Sequence, residues 1–223
     1  MADGRRKGGK VSVVWFRQDL RLADNPALHE AAANGCTILP VYVLDDAAAG
    51  AWATGGAQRW WLHHSLAALA HDLKALGATL VLRRGDAAAI IPALAREAGA
   101  TEVHAGRLIE PWARRQADRV AEALGDIPLH QHRSATLFDI DAIQTKSGGV
   151  YGVYTPFARA CRAMGEVPPP LPAPKRLTAA TAPSDALADW GLLPTRPDWA
   201  GGLRETWQPG EAGAHARMQR FME

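Results

Sequence analysis

Cysteine is rare in this chain, which contains only Cys36 and Cys161 among its 223 residues. Their separation matches none of the close spacings of cysteine-based metal motifs, and two cysteines cannot supply the disulfide framework of a small secreted domain. A single disulfide between them stays open, but two reduced thiols in a cytoplasmic protein are the simpler interpretation. We therefore predict a cytoplasmic location and no metal centre built on cysteine.

Long apolar runs and a strong excess of one charge are also absent. No stretch is long enough to cross a membrane, and the N-terminus lacks the apolar core of a signal peptide. Lysine and arginine total 25 against 23 acidic residues, a formal net charge of +2, which gives no general electrostatic case for nucleic-acid binding. The Gly-spaced basic stretch within residues 1–10 offers nothing to bury and is predicted to be a disordered tail.

What the chain does contain, over residues 11–138, is a repeated alternation of strand-like and helix-like patterns. The first strand is expected at Val11–Phe16, a run that is apolar apart from Ser12 and therefore suits a strand buried on both faces of a parallel sheet. Asn25 and Pro26 then have the residue types of a helix cap and a first helical position. Further strands are predicted at 37–44, 79–82, 102–105 and 127–132, and further helices at 58–76, after Asp86, and at 111–124. This pattern predicts an α/β fold, a doubly wound five-stranded parallel sheet that is Rossmann-like.

Two prolines carry specific expectations within that fold. Pro40 cannot donate a hydrogen bond to a strand ladder, so the second strand should start late or contain a bulge there. Pro92 lies in the helix that Asp86 caps and should kink that helix or make it restart.

The composition changes after residue 138. Prolines recur throughout 166–198, which disfavours helices and favours an extended chain. We interpret residues 139–210 as an interdomain linker that wraps the surface of the α/β domain. Residues 211–223 have the pattern of a helix, and a helix of about a dozen residues is marginal alone. We therefore predict that it is the first helix of a further, helical domain.

Several of these stretches resemble the DNA photolyase and cryptochrome family. The residues that carry the resemblance are WFRQDLRL at 15–22, DNPAL at 24–28, Tyr151, TPF at 155–157 and WQPGE at 207–211. The resemblance implies the N-terminal, antenna-binding α/β domain of a bacterial-type deoxyribodipyrimidine photolyase. In that family a following helical domain of the same chain holds FAD and contacts UV-damaged DNA. The implied activity is light-driven repair of cyclobutane pyrimidine dimers, and this chain alone is expected to be inactive and to self-associate.

A candidate antenna pocket is expected at the carboxyl ends of the strands. Its polar candidates are Arg17, Asp45, Asp46, Arg107 and Glu110. The tryptophans that could supply an aromatic face are Trp52, Trp60 and Trp112. Because Trp60 and Trp61 are neighbours on one helix, only one of them should face the core.

The identity of an antenna stays open between a flavin, a deazaflavin, a folate and no chromophore. Folate-binding relatives often place Asn-Glu shortly after the glutamate that matches Glu110, and this chain has Trp112 and Ala113 there, which disfavours a folate held in that way. An empty pocket is kept open because Gly106, Leu108 and Ile109 replace the larger polar or aromatic residues expected near that strand end.

Two alternatives to a photolyase remain from the sequence. One is a cryptochrome-type blue-light photoreceptor, since the features that separate the two classes belong to the helical domain. The other is a free-standing chromophore- or nucleotide-binding α/β module. Dinucleotide binding through GxGxxG or a P-loop has no support, because neither spacing follows the first strand.

His130 and His132 alternate along one predicted strand and should share a face. Two imidazoles can bind a metal, but a site needs further ligands and none is nearby in the sequence. We therefore predict no metal.

Overall fold

A computed structural model describes residues 9–223 of the chain. The basic tail predicted at 1–10 thus lies almost wholly outside the described residues. At the centre is a five-stranded sheet in which all strands are parallel, in the order β3–β2–β1–β4–β5. The strands are β1 (Val11–Phe16), β2 (Thr37–Leu44), β3 (Val81–Arg84), β4 (Ala100–Arg107) and β5 (Leu129–Arg133).

Helices cover both faces of this sheet, which confirms the doubly wound α/β fold. The helices are α1 (Pro26–Ala33), α2 (Gly56–Ala75), α3 (Ala87–Glu97), α4 (Pro111–Leu124), α5 (Tyr154–Ala163), α6 (Gly201–Thr206) and α7 (Glu211–Met222). One face packs against α1 and α2, whose Leu28 and Leu66 belong to the first core. The other face packs against α3 and α4, whose Ile91 and Val120 belong to the second core.

The central strand β1 supplies both cores, as its unbroken apolar run predicts. Val14 and Phe16 point to the α1–α2 side, and Val13 and Trp15 point to the α3–α4 side. All four side chains are at most 2% exposed. Burial on both faces is the arrangement that a run without a polar face favours.

The turn from β1 into α1 follows the predicted capping chemistry. Oδ1 of Asn25 accepts a hydrogen bond from the backbone N–H of Leu28 at 3.0 Å, and Pro26 occupies the first helical position. The side-chain Nδ2 of Asn25 donates to the backbone carbonyl oxygens of Asp19 and Arg21, at 3.2 and 3.0 Å. One buried side chain therefore starts the helix and fixes the loop that follows β1.

Pro40 lies within β2, which runs through it in continuous register with β1. Alternate residues of a parallel strand direct their backbone groups to opposite neighbours. The backbone groups of Ile38 point away from β1, toward Thr178 and Ala180, with which they form hydrogen bonds. Those of Pro40, two residues later, point to the same side, where pairing with β3 begins only at Val41. The absent N–H of Pro40 therefore removes no hydrogen bond to β1, and the predicted late start or bulge of β2 is wrong.

Several other boundaries differ from the sequence prediction: α2 spans 56–75, β4 spans 100–107 and β5 spans 129–133. Helix α3 does not restart at Pro92, because the buried face that includes Ile91 and Leu94 outweighs one lost hydrogen bond, and a kink there stays a prediction. Strand β3 starts two residues late, because the end of α2 still holds the backbone: the N–H of Ala78 donates to the carbonyl of Leu73 at 2.9 Å.

The proline-rich segment lies along the sheet and α2. The N–H of Leu177 donates to Leu76 O and the N–H of Asp185 donates to Leu82 O, each at 2.9 Å. Residues 165–186 are free of helix, as the prolines predict, although α5 and α6 lie within the predicted linker. The division into 11–138, 139–210 and 211–223 stays a prediction. Across residues 9–223, no helix combines the length and apolar character needed to cross a bilayer.

Candidate functional site

A cavity of about 1130 Å³ opens at the carboxyl ends of β1 and β2. The sheet order reverses between β1 and β4, and the crevice at such a reversal is where ligands bind in open α/β sheets. The start of α4 and residues of α2 form part of its wall, while residues 170–172 and α7 form another part. The volume is slightly above the range of about 300–1,000 Å³ that is typical of small-molecule sites.

Five large aromatic side chains contribute to the lining of this cavity. They are Trp15, Tyr42, Trp52, Trp61 and Trp112. Trp52 and Trp112 were predicted as aromatic candidates. Trp60 lies instead in the core at 2% exposure, while Trp61 is 40% exposed and faces the cavity. Only one of these two neighbours faces the core, as helix geometry predicts.

A chain of hydrogen bonds joins three elements beside the cavity. Arg17, at the end of β1, donates from Nη2 to Oε1 of Gln116 on α4 at 2.8 Å. Gln116 donates from Nε2 to Oδ2 of Asp45 at 2.9 Å, and Asp45 follows β2. All three side chains line the cavity. The network holds the strand ends and α4 in one fixed arrangement.

Arg17 is a buried cation in this network. Its guanidinium lies 4.5 Å from the centroid of the Trp15 ring and also donates to the carbonyl of Ala113 at 2.8 Å. Burial lowers the pKa of Arg17 to about 10, although the charges of Asp19 and Glu110 oppose this shift. The side chain stays positively charged near neutral pH, because a pKa of about 10 is still well above 7.

The neighbouring acid, Asp46, is held by two arginines. It accepts hydrogen bonds from Arg59 at 2.6 Å and from Arg84 at 2.7 Å. Burial raises the pKa of Tyr42, and the charge of Asp46 adds to that shift. The Tyr42 hydroxyl therefore keeps its proton near neutral pH.

The other two predicted polar candidates lie away from the cavity lining. Arg107 donates to Oδ1 of Asp139 at 2.6 Å and lies 3.4 Å from Oδ2 of Asp141, in the segment after β5. Glu110 precedes α4, and its buried Oε2 has no hydrogen-bond partner within residues 9–223. Arg17, Asp45 and Asp46 are thus brought together around the cavity, whereas Arg107 and Glu110 are not. A role in antenna binding stays a prediction for all five.

Helix α7 is fixed beside the cavity by its first residue. Oε2 and Oε1 of Glu211 accept hydrogen bonds from the backbone N–H groups of Leu22 and Ala23, at 2.7 and 3.0 Å. Sequence reasoning missed this role of Glu211, because no local pattern indicates that its carboxylate accepts a hydrogen bond from Ala23, 188 residues away in the chain. Gln116 did carry a signal, since it is a polar residue on the otherwise apolar face of α4.

Gly106, near the end of β4, is small for a packing reason. A Cβ there would lie 2.2 Å from Oδ2 of Asp19. That oxygen accepts from the hydroxyl of Ser134 at 2.7 Å, and Oδ1 accepts from the N–H of Arg17 at 3.1 Å. The space beside Gly106 is therefore filled by Asp19, and the small residue leaves no extra room for a ligand.

A separate polar cluster lies on the α1 side of the sheet. His130 and His132 share a face of β5, as predicted, and β4 places Glu102 and His104 beside them. Burial lowers the pKa of His104 and of His132. Burial alone would raise the pKa of Glu102, but its contacts with His104 and Cys36 outweigh burial and lower it. Sequence reasoning missed this grouping because β4 lies about 28 residues before β5 in the chain.

Comparison with known proteins places this architecture in a family. The model of the DNA photolyase family matches residues 12–175. The chain belongs to the DNA photolyase family. It is 42% identical over 215 residues to the deoxyribodipyrimidine photo-lyase of Agrobacterium fabrum, a match that covers 95% of this chain and 44% of that protein. Cryptochrome-2 of Arabidopsis thaliana is 31% identical, with 97% of this chain and 37% of that protein covered.

The fold of this photolyase-family chain also matches a solved structure. A crystal structure of a bacterial class III photolyase from Agrobacterium tumefaciens superposes with a TM-score of 0.88 at 42% identity. The match covers 96% of this chain and 44% of that one. The chain therefore spans less than half the length of these relatives. The matched family region contains all five strands except Val11, the first residue of β1. It also contains Arg17, Asp45 and Gln116, and it ends before α7.

Proposed function

We propose that the cavity at the strand ends binds a planar, aromatic antenna chromophore. The observation that carries this proposal is a cavity of about 1130 Å³ with five aromatic side chains in its lining, in a photolyase-family α/β domain. Aromatic faces attract flat heteroaromatic rings, and a few fixed polar groups orient them. When bound, an antenna absorbs light and passes its excitation energy on.

The residues present suit a flavin or a deazaflavin. The side chains of Arg17 and Gln116 are already hydrogen-bonded to neighbours, so they offer a rigid edge to a ligand. Asp45 and Asp46 supply acceptor oxygens beside the rings. Trp112 and Ala113 stand where folate-binding relatives often have Asn-Glu, which disfavours a folate held by those two residues.

For the whole protein we propose light-driven repair of cyclobutane pyrimidine dimers in DNA, with FAD held by a helical domain outside residues 1–223. The Agrobacterium fabrum relative carries the name deoxyribodipyrimidine photo-lyase, and its identity of 42% exceeds the 31% of Cryptochrome-2, which favours a photolyase over a photoreceptor. We also propose a cytoplasmic location. UV-damaged DNA would then be the partner of the whole protein.

The antenna proposal is tested by chromophore titration. The purified chain is mixed with flavin mononucleotide, a deazaflavin or a reduced folate, and tryptophan fluorescence quenching gives the dissociation constant. Trp52→Ala should weaken flavin or deazaflavin binding about tenfold, because an aromatic contact contributes roughly 0.5–1.5 kcal/mol beyond its area. Trp52 is 83% exposed, so its loss should leave the fold intact.

Trp199→Ala is the matched control. Trp199 is 47% exposed and lies outside the cavity lining, so its loss should leave the affinity unchanged. Failure of every chromophore to bind, or an equal loss in both variants, would contradict the proposal.

A repair assay tests the proposal that catalysis requires a helical domain outside this chain. We expect the 223-residue chain, given FAD, a reductant and blue light, to leave a dimer-containing oligonucleotide unrepaired. A protein that joins this chain to a helical photolyase domain should restore thymine absorbance. Repair by the chain alone above a protein-free control would overturn the assignment of catalysis to a helical domain.

A further inference from the structure

The polar cluster beneath α1 has the composition of a metal site. Glu102 and His104 are two residues apart on β4, so their side chains share a face. His130 lies directly opposite His104 on β5. The potential ligand atoms of these three residues all lie within 4.8 Å of one another. Two imidazoles and one carboxylate form a donor set that zinc and related divalent ions use.

The separations are close to those that a metal would impose. Nε2 of His104 lies 3.3 Å from Oε1 of Glu102, and Nε2 of His130 lies 3.9 Å from Oε2 of Glu102. Ligands bound at about 2.0–2.2 Å in tetrahedral geometry are themselves about 3.4 Å apart. The two distances end on different oxygens of Glu102, and with one ligand atom from each residue the separations are within 4.8 Å. Binding of one ion would therefore shorten them by up to about 1.4 Å.

A second contact orients His104 toward this position. Nδ1 of His104 lies 2.8 Å from Nε2 of His132, so one of these two nitrogens donates a hydrogen bond to the other. Nδ1 of His132 in turn lies 3.4 Å from Oε2 of Glu30. A metal bound at Nε2 of His104 would leave the proton of that ring on Nδ1, which then donates to Nε2 of His132. Metal-binding histidines are commonly held by such a hydrogen bond from the second ring nitrogen.

Nε2 of His104 is without a hydrogen-bond partner in the described part of the chain, although the side chain is only 1% exposed. It lies 3.3 Å from Oε1 of Glu102, but the contact lacks the alignment of a hydrogen bond. A cation between this nitrogen and the carboxylate would give both atoms a partner. Ser12, which pairs with Glu102 in the sheet register, also buries a hydroxyl without a partner among residues 9–223.

We propose that Glu102, His104 and His130 bind a divalent transition-metal ion, and that His132 positions His104. The side chain of His130 is 43% exposed, which gives an ion access from solvent. Three protein ligands leave a fourth position open for water. The site lies on the α1 side of the sheet, separate from the proposed chromophore cavity.

The test is a metal titration of the 223-residue chain carrying no histidine tag. After treatment with a chelator and its removal, Zn²⁺ is titrated by calorimetry, and Co²⁺ is used to record ligand-field absorption. We expect one ion per chain and a higher unfolding temperature with Zn²⁺, because a ligand that binds only the folded state stabilises it. His130→Ala and Glu102→Gln should each lower the affinity at least tenfold. His132→Gln should lower it about 10- to 100-fold, as loss of a supporting hydrogen bond does.

The matched control is His71→Ala, which removes an exposed histidine of α2 outside the cluster and should leave the affinity unchanged. His130 is partly exposed, so His130→Ala should fold, and its unfolding temperature without metal verifies this. No saturable binding of Zn²⁺ or Co²⁺ would overturn the proposal. Binding that His130→Ala and Glu102→Gln leave unchanged would overturn it as well.

Discussion

The sheet and the last helix of the C-terminal part (residues 139–223) place their apolar residues in opposite environments. Phe16 in β1 is 1% exposed, whereas Phe221 in α7 is 85% exposed. Other large apolar residues of the C-terminal part that are more than half exposed are Val150, Val153, Tyr154, Met218 and Met222. The core on the α1–α2 side of the sheet also includes Leu177, Trp190 and Leu192, so part of the C-terminal segment is buried with the sheet. Residues 150–154 and α7 instead expose the kind of apolar surface that marks an interaction site.

The largest expected effect comes from breaking the core of the sheet. Phe16→Ala should lower the free energy of unfolding by about 3–5 kcal/mol, because it removes a fully buried ring and leaves a cavity. Urea denaturation followed by circular dichroism measures this loss. Phe221→Ala, the same substitution at an exposed position, should change stability by less than about 0.5 kcal/mol. Similar losses in both variants would contradict the contrast between the sheet and α7.

The same contrast explains what could be predicted from the sequence. Strand β1 and the start of α1 follow from local chemistry, since an unbroken apolar run, a cap at Asn25 and a proline at the first helical position act within a few residues. The boundary at β3 did not follow, because the C-terminal hydrogen bonds of α2 determine it. The course of Pro40 through β2 depends on residues 178–180, which are distant in the sequence.

A smaller effect is expected at the junction of β4 with the loop after β1. Gly106→Ala should cost about 1–3 kcal/mol, because the new methyl group displaces Asp19 from its hydrogen bonds with Ser134 and the N–H of Arg17. Gly202→Ala, in exposed α6 with no atom near its Cβ position in the described chain, should instead stabilise by about 0.5–1 kcal/mol. Thermal unfolding compares the two. If both substitutions changed the free energy of unfolding in the same direction, the packing around each glycine would not determine the outcome.

Only some of the residues predicted for the candidate site lie together, and the positions of the strand ends explain which ones. Arg17, Asp45 and Asp46 directly follow strands whose ends meet, so their proximity follows from the parallel sheet. Arg107 also follows a strand, but it turns toward Asp139 in a segment whose course the sequence does not show. Glu211 reaches the loop after β1 from α7, a contact that no periodic pattern reveals.

A more local effect is expected where α7 meets the loop after β1. Glu211→Ala removes the acceptor for two backbone N–H groups and should cost about 1.5–3 kcal/mol, the range for hydrogen bonds to a charged group. Because the loss is confined to one contact, amide hydrogen exchange should accelerate in α7 and stay unchanged in β1. Glu205→Ala, at an exposed position of α6, is the control and should leave both exchange rates unchanged. Equal acceleration in β1 would mean that α7 supports the whole fold.

The smallest effect on stability, and a distinct effect on association, is expected at the exposed end of α7. Phe221, Met218 and Met222 form an apolar surface there, and a formal net charge of +2 offers little repulsion between copies. We expect the chain to self-associate with rising concentration, which sedimentation equilibrium measures. Phe221→Ser should weaken this association several-fold while the free energy of unfolding stays within about 0.5 kcal/mol.

Gln219→Ser, on the same helix, should leave association unchanged, because it removes no apolar area from the exposed surface. Association of equal strength in all three proteins would show that the contact between copies lies elsewhere. A monomer at every concentration would mean that this apolar surface, although exposed, is too small to hold two copies together. Buried apolar area has to offset the translational and rotational entropy lost on association, and Phe221 with two methionines supplies only a modest part of a standard interface.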